Sequence, residues 1–123
     1  MVPVLAVFAV DVVLTIAFAA IGRASHKEGV TPYGVLETAW PFLVGLVVGW
    51  LIATMLNKRG YPLTLRTSWP VWISTVAVGM LLRWVTHQGT AVAFVIVATI
   101  TLGVLLLGWR LLAARWLRQT PHA

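Results

Sequence analysis

A single carboxylate, Asp11, stands near the centre of the apolar run VFAVDVVLTIAFAAIG at residues 7–22. Leaving it charged in hydrocarbon costs at least about 2.5–3.5 kcal/mol on insertion scales, so it must be protonated, paired or facing a hydrated cavity. Thr15 follows one helical turn later and adds a hydroxyl on the same face. The two residues are a candidate proton or cation transport site. The alternative is a fixed ion pair or hydrogen bond that orients the first helix.

Aromatic side chains are the candidate lining of such a site. Phe18 lies on a neighbouring stripe of the first helix, and Trp50 lies deeper in the second apolar run than the other tryptophans do in theirs. The remaining six of the seven tryptophans fall near predicted membrane interfaces, which is typical of an aromatic belt.

Other charged and titratable side chains collect on the side of the chain opposite its N-terminus. Glu37 stands at the start of the second apolar run and Arg83 near the end of the third. They are predicted gating charges or an ion pair. Arg83 also has two alternatives: snorkelling to the interface, which is favoured, and reaching Asp11 over a depth of roughly 9 Å. Arg23 and His26 would complete a polar vestibule, although solvated loops give the same pattern.

No catalytic or cofactor motif is recognisable in the sequence. It contains no nucleophile elbow, HExxH or glycine-rich phosphate loop. Its three histidines lack metal-ligand spacing, and the absence of cysteine excludes thiolate sites and disulfides. We therefore expect a protein that is not an enzyme, with no cofactor and no metal.

The composition indicates a membrane protein with a single domain over residues 1–123. Hydrophobic residues make up 60% of the chain and charged residues only 10%, too apolar for a soluble domain of this size. The net charge of +6 comes from residues between and after the apolar runs, so the lipid bilayer is the expected partner and nucleic acid is not.

The apolar runs predict an all-α, polytopic membrane protein with four transmembrane helices. The predicted spans cover about residues 2–22, 38–56, 68–85 and 91–112, each long enough for roughly 30 Å of hydrocarbon. A signal peptide would require basic residues before the apolar run, and no Lys or Arg precedes Arg23. We therefore expect the first run to be a retained span.

The distribution of positive charge predicts that both termini lie in the cytoplasm. The protein itself is expected in the inner (plasma) membrane. Six basic residues fall on the side of the N-terminus, against three on the other side. The six are Lys58, Arg59, Arg66, Arg110, Arg115 and Arg118, and the three are Arg23, Lys27 and Arg83. The last basic residues alternate with tryptophan and leucine, which favours snorkelling anchors at the interface.

Small residues predict where helices pack closely. Gly45 and Gly49 form a GxxxG in the second run, and Thr75 with Gly79 and Thr99 with Gly103 repeat the spacing in the third and fourth. Such faces serve either packing within the chain or a homo-oligomer, most simply a dimer. The segments TAWPF and TSWPV at an offset of 29 residues favour common helix punctuation slightly over an inverted repeat.

Several short motifs resemble a family of small four-span prokaryotic membrane proteins known only as a domain of unknown function. They are Asp11, IGRASH (21–26), TAWPF (38–42), GW (49–50), VW (71–72), GMLLR (79–83), GTA (89–91) and GWR (108–110). The resemblance covers nearly the whole chain and implies four helices in a bacterial or archaeal membrane. It implies no activity.

Two functional hypotheses lead, ahead of a membrane enzyme acting on lipids, for which the sequence offers no credible catalytic pair. In the first, the protein is a small transporter or channel for a proton-coupled or cationic solute, with Asp11 as the titrating site. In the second, it is an accessory or assembly subunit of a larger membrane complex, and its intramembrane polar residues are structural. The first is slightly favoured, because an intramembrane acid is a functional site by default.

Overall fold

The computed structural model describes residues 3–25, 29–57, 65–88 and 92–119, and nearly all of them are helical. The four helices are α1 (Val4–Ser25), α2 (Pro32–Leu56), α3 (Leu65–Val85) and α4 (Val92–Gln119). The predicted all-α class with four helices is confirmed.

The start of α2 differs from the prediction by nearly two turns. The helix begins at Pro32, six residues before the predicted start of the span, and Thr31 is its N-cap. The Thr31 hydroxyl accepts a hydrogen bond of 3.0 Å from the backbone N–H of Gly34. Thr-Pro is a standard helix start, and it occurs at 31–32 before the Trp-Pro motif that suggested a later one. Pro41 lies inside the helix.

The helix α4 runs beyond its predicted span. It extends to Gln119, seven residues past the predicted end at residue 112, and its 28 residues span about 42 Å. It is therefore longer than the roughly 30 Å hydrocarbon layer.

The helices form a closed ring of antiparallel neighbours. Each helix packs against the next in the sequence, and α4 closes the ring against α1. The α2–α3 contact is the most extensive. Antiparallel order places the beginning of α1 beside the ends of α2 and α4, at one end of the bundle.

Glycines of α2 bring its backbone against α3. A Cβ at Gly45 would lie 2.8 Å from the carbonyl oxygen of Thr75, and one at Gly49 would lie 2.7 Å from the Cα of Val71. At Gly79 of α3, a Cβ would collide with the ring of Phe42. The GxxxG therefore lies in an intramolecular contact.

The α3–α4 contact is built around one indole. The Nε1–H of Trp72 donates to the carbonyl oxygen of Thr99 at 2.9 Å. A Cβ at Gly103 would lie 2.9 Å from the same Nε1, so the indole occupies the space that this glycine leaves.

Three phenylalanines from three different helices pack together in the bundle. Phe18, Phe42 and Phe94 come from α1, α2 and α4, with ring centroids 5.2 to 6.3 Å apart. Phe18, a predicted lining residue, is buried in this cluster. Such edge-to-face and tilted contacts stabilise by about 0.5–1.5 kcal/mol per pair beyond area burial.

Three of the described helices are long and apolar enough to cross a membrane: α1, α2 and α4. Much of the surface of these helices is exposed and hydrophobic. The protein is therefore membrane-embedded. The crossing of α3 and the side on which the termini lie stay predictions.

Candidate functional site

Asp11 lies about one third of the way along α1. It is the eighth of 22 helical residues, so it stands about 10 Å from the helix start and about 21 Å from its end. The side chain is fully buried. The sequence suggested a position near the middle of the span, and the structure moves it toward the end of the bundle that holds the N-terminus.

Arg110 of α4 is the ion-pair partner of Asp11. Its Nη1 donates to Oδ1 at 2.8 Å and its Nη2 donates to Oδ2 at 2.6 Å, so the contact is bidentate. Both side chains are shielded from solvent. The expectation that Arg110 belongs to the interfacial positive charges is wrong, because its guanidinium turns into the bundle.

Two tryptophans complete the hydrogen bonding of the carboxylate. The Nε1–H of Trp50 on α2 donates to Oδ2 at 2.8 Å, and the Nε1–H of Trp109 on α4 donates to Oδ1 at 2.9 Å. Each oxygen of Asp11 thus accepts two hydrogen bonds. We call Asp11, Trp50, Trp109 and Arg110 the Asp11 cluster.

The remaining contacts hold Arg110 in place. Its Nη1 also donates to the carbonyl oxygen of Leu106 at 2.6 Å, and its Cζ lies 5.0 Å from the ring centroid of Trp109. A buried ion pair is tolerated only when its polar atoms are satisfied, since desolvation costs several kcal/mol per ion. The cluster meets this requirement for the carboxylate in full.

Thr15 lies beside the cluster, but its hydroxyl is hydrogen-bonded to the backbone. Its buried hydroxyl donates to the carbonyl oxygen of Asp11 at 2.8 Å, one turn earlier in α1. This is the common hydrogen bond of a threonine in a membrane helix, and it leaves the carboxylate of Asp11 to the other helices.

The predicted vestibule residues lie toward the opposite end of the bundle. Arg23 donates from Nε to the carbonyl oxygen of Gly29 at 2.6 Å and from Nη1 to the hydroxyl of Thr38 at 3.1 Å, which ties α1 to α2. Glu37 is exposed on α2. His26 lies outside the described residues.

Arg83 contacts the turn that follows its own helix. Its Nη2 donates to the backbone carbonyl oxygen of Gln88 at 3.0 Å, and its Cζ lies 4.5 Å from the ring centroid of Phe94. The alternative in which Arg83 reaches the carboxylate of Asp11 is not formed, because that carboxylate is paired with Arg110.

The hydrogen bonds within the Asp11 cluster leave its carboxylate no free site for a metal ion. A metal ion would have to displace Arg110 from the carboxylate, and the described residues contain no group of three His, Cys, Asp or Glu side chains placed to hold one.

A cavity of about 350 Å³ lies between the end of α2 and the start of α3. Its lining consists of Ala53, Leu56, Asn57, Thr67, Trp69 and Pro70.

Sequence reasoning missed Arg110 and Trp109 as partners of Asp11. One signal was present: with four antiparallel spans, the first third of the first helix meets the last third of the fourth. An arginine at that depth, next to a tryptophan, is the complement of an otherwise unpaired aspartate. The positive-charge count instead assigned Arg110 to the interface.

Comparison with protein-family models gives a match over most of the chain. The model of a family described as "Protein of unknown function (DUF3054)" matches residues 8–113, a range that contains the whole Asp11 cluster. No curated protein and no solved structure matches the chain significantly.

Proposed function

The chain belongs to the DUF3054 family, and on that premise we propose that it is an accessory or assembly subunit of a larger membrane complex. The family match confirms the resemblance found in the sequence. The family description assigns no activity, so the proposal depends on what the Asp11 cluster is built to do.

The saturation of the Asp11 carboxylate is the observation that carries this proposal. Its two oxygens accept four hydrogen bonds from side chains of α2 and α4. A site that carries a proton or cation must exchange these partners for its cargo, and breaking a buried pair costs about 3–5 kcal/mol. A fixed connection between three helices suits a protein that presents a rigid surface to partners.

Transport of a proton or cationic solute by Asp11 and Thr15 has less support from the same geometry. The Thr15 hydroxyl is hydrogen-bonded to a backbone carbonyl, and farther along α1 the ring of Phe18 packs against that of Phe42. The cavity between α2 and α3 is lined by residues outside the Asp11 cluster. Transport would need a second arrangement of the helices in which Asp11 and Arg110 separate.

The proposal includes four membrane crossings with both termini in the cytoplasm. Support for a crossing by α3 comes from Trp69 and Trp84, which are exposed near its two ends and about 22 Å apart along the axis. Between them Ile73 and Leu81 are exposed and apolar. Tryptophans at both ends of an apolar stretch are typical of a helix that meets two membrane interfaces.

Native purification tests the accessory role. The tagged chain is extracted in a mild detergent and its partners are quantified by mass spectrometry. We expect a larger membrane protein in stoichiometric amount. A chain that purifies without a partner and supports cation flux in vesicles, with the flux lost on Asp11→Asn, would overturn the proposal in favour of transport.

Single cysteines test the topology, since the chain has no cysteine of its own. Val30→Cys and Thr86→Cys should react with a membrane-impermeant maleimide on intact cells. Asn57→Cys and Arg115→Cys should react only after the membrane is permeabilised. Equal labelling at positions 57 and 86 would show that α3 does not cross.

A further inference from the structure

One exposed face of α2 combines a carboxylate with aromatic and aliphatic side chains. Its residues follow one another at alternating spacings of four and three, which keeps them on one side of the helix. We call it the Glu37 face, and it consists of Tyr33, Glu37, Trp40, Val44, Val47 and Leu51, all of them exposed. Because α2 is long and apolar enough to cross a membrane and no described residue covers this face, it is available for contact with lipid.

Glu37 lacks a partner within the part of the chain that the structure describes. The described ion pair is that of Asp11 with Arg110, and Glu37 takes part in no interaction with a described side chain. It stands about 7.5 Å along the axis from Pro32, where α2 begins. A carboxylate at that depth on a lipid-facing surface is stabilised by a cation that reaches it from the head-group layer.

We propose that the Glu37 face binds a phospholipid with a primary-ammonium head group. The ammonium N–H groups would donate to the Glu37 carboxylate, a charge-assisted hydrogen bond. Tyr33 and Trp40 stand one turn to either side and are 78% and 37% exposed, so their rings can contact the cation by cation–π attraction.

The rest of the face identifies the ligand as a lipid instead of a soluble amine. Below Trp40, the side chains of Val44, Val47 and Leu51 continue the same line toward the other end of α2 and are exposed. An acyl chain can lie along them while its head group stays at Glu37. A primary ammonium fits better than a quaternary one, because it has N–H donors for the carboxylate.

Native mass spectrometry of the purified chain tests this inference. The protein is titrated with phosphatidylethanolamine and, separately, with phosphatidylglycerol of the same acyl chains. We expect the wild-type chain to bind the ethanolamine lipid about threefold to fivefold more tightly, the upper part of the range of an exposed charge pair. Glu37→Gln should remove this preference, and Trp40→Leu should reduce it by about half.

Glu28→Gln is the matched control, since it removes the same charge from the α1–α2 connection. It should keep the wild-type preference. Loss of the lipid preference in both glutamine variants would overturn the proposal, because net charge would then explain the preference. A preference that survives in Glu37→Gln would overturn it as well. Displacement of the lipid by equimolar phosphoethanolamine would also overturn it, in favour of a soluble amine. The inference is independent of the accessory role, and its failure would leave that role unaffected.

Discussion

Asp11 and Arg110 are 99 residues apart in the sequence and are joined by two parallel hydrogen bonds of 2.8 and 2.6 Å inside the bundle. The contact connects the beginning of α1 to the last third of α4, so it forms only when both helices are in place. It carries no net charge, and its geometry is that of a bidentate arginine–carboxylate pair.

The ion pair predicts a strong asymmetry between single and double substitutions. Asp11→Leu and Arg110→Met should each lower the free energy of unfolding by about 3–5 kcal/mol, since each leaves the other charge buried and unpaired. The double variant should lose clearly less than the sum of the two single losses, because no unpaired charge remains, although Trp50 and Trp109 then lack the acceptor of their indole N–H groups. Denaturant titration in detergent micelles measures all three. Additive losses in the double variant would show that the two side chains act independently.

The two indoles should contribute separately to the cluster. Trp50→Phe and Trp109→Phe each remove one N–H donor to the carboxylate while keeping an aromatic ring. We expect each to lower the free energy of unfolding by about 1.5–3 kcal/mol, as for hydrogen bonds to charged groups. Trp69→Phe, at an exposed position, is the control and should change it by about 0.5 kcal/mol or less. An equal loss at all three positions would contradict a role for the indole hydrogen bonds.

The α2–α3 contact should not tolerate a methyl group at Gly49. A Cβ there would lie 2.7 Å from the Cα of Val71, and backbone atoms cannot turn aside as a side chain can. Gly49→Ala should therefore lower the thermal unfolding midpoint, at a cost of about 1–3 kcal/mol. Gly108→Ala is the matched control, because a Cβ added there would meet no atom within 4 Å beyond its own stretch of helix, and it should raise stability by about 0.5–1 kcal/mol.

The turn after α3 offers a stabilising substitution. His87 has a φ of 60°, and it occupies the position after the helix end where glycine is favoured. The backbone N–H of Gln88 donates to the carbonyl oxygen of Arg83 at 2.8 Å, and that of His87 to Trp84 at 3.2 Å, as in a Schellman motif. His87→Gly should raise the free energy of unfolding by about 1 kcal/mol. His87→Ala keeps the backbone strain and should give no gain; a gain there would mean that the imidazole itself is unfavourable.

Much of the architecture could be predicted because it follows from local properties. Four apolar runs of sufficient length predict four helices, and the helices end within a few residues of the predicted spans at Leu56 and Val85. The larger differences between span and helix, at Pro32 and Gln119, lie where the helix continues past the hydrocarbon-length segment. Hydropathy reports the apolar part of a helix, whereas capping and backbone hydrogen bonds determine its actual ends.

The partner of Asp11 could not be chosen from the sequence. Arg83 and Arg110 both stand near the end of an apolar run, and each could snorkel or turn inward. The choice depends on helix order around the ring and on rotation about each helix axis. Small changes in rotation direct the guanidinium to lipid or to the bundle, and composition does not record them.

The amino-acid sequence by itself determined that this protein lies in lipid, that it is all-helical and that one buried acid must be paired. Those follow from hydrophobicity and from the cost of a charge in hydrocarbon, which are properties of single residues and short segments. Only the tertiary structure decided that Arg110, Trp50 and Trp109 share the compensation and that Glu37 faces outward. These assignments depend on which faces of three helices meet, and packing of the whole bundle sets that.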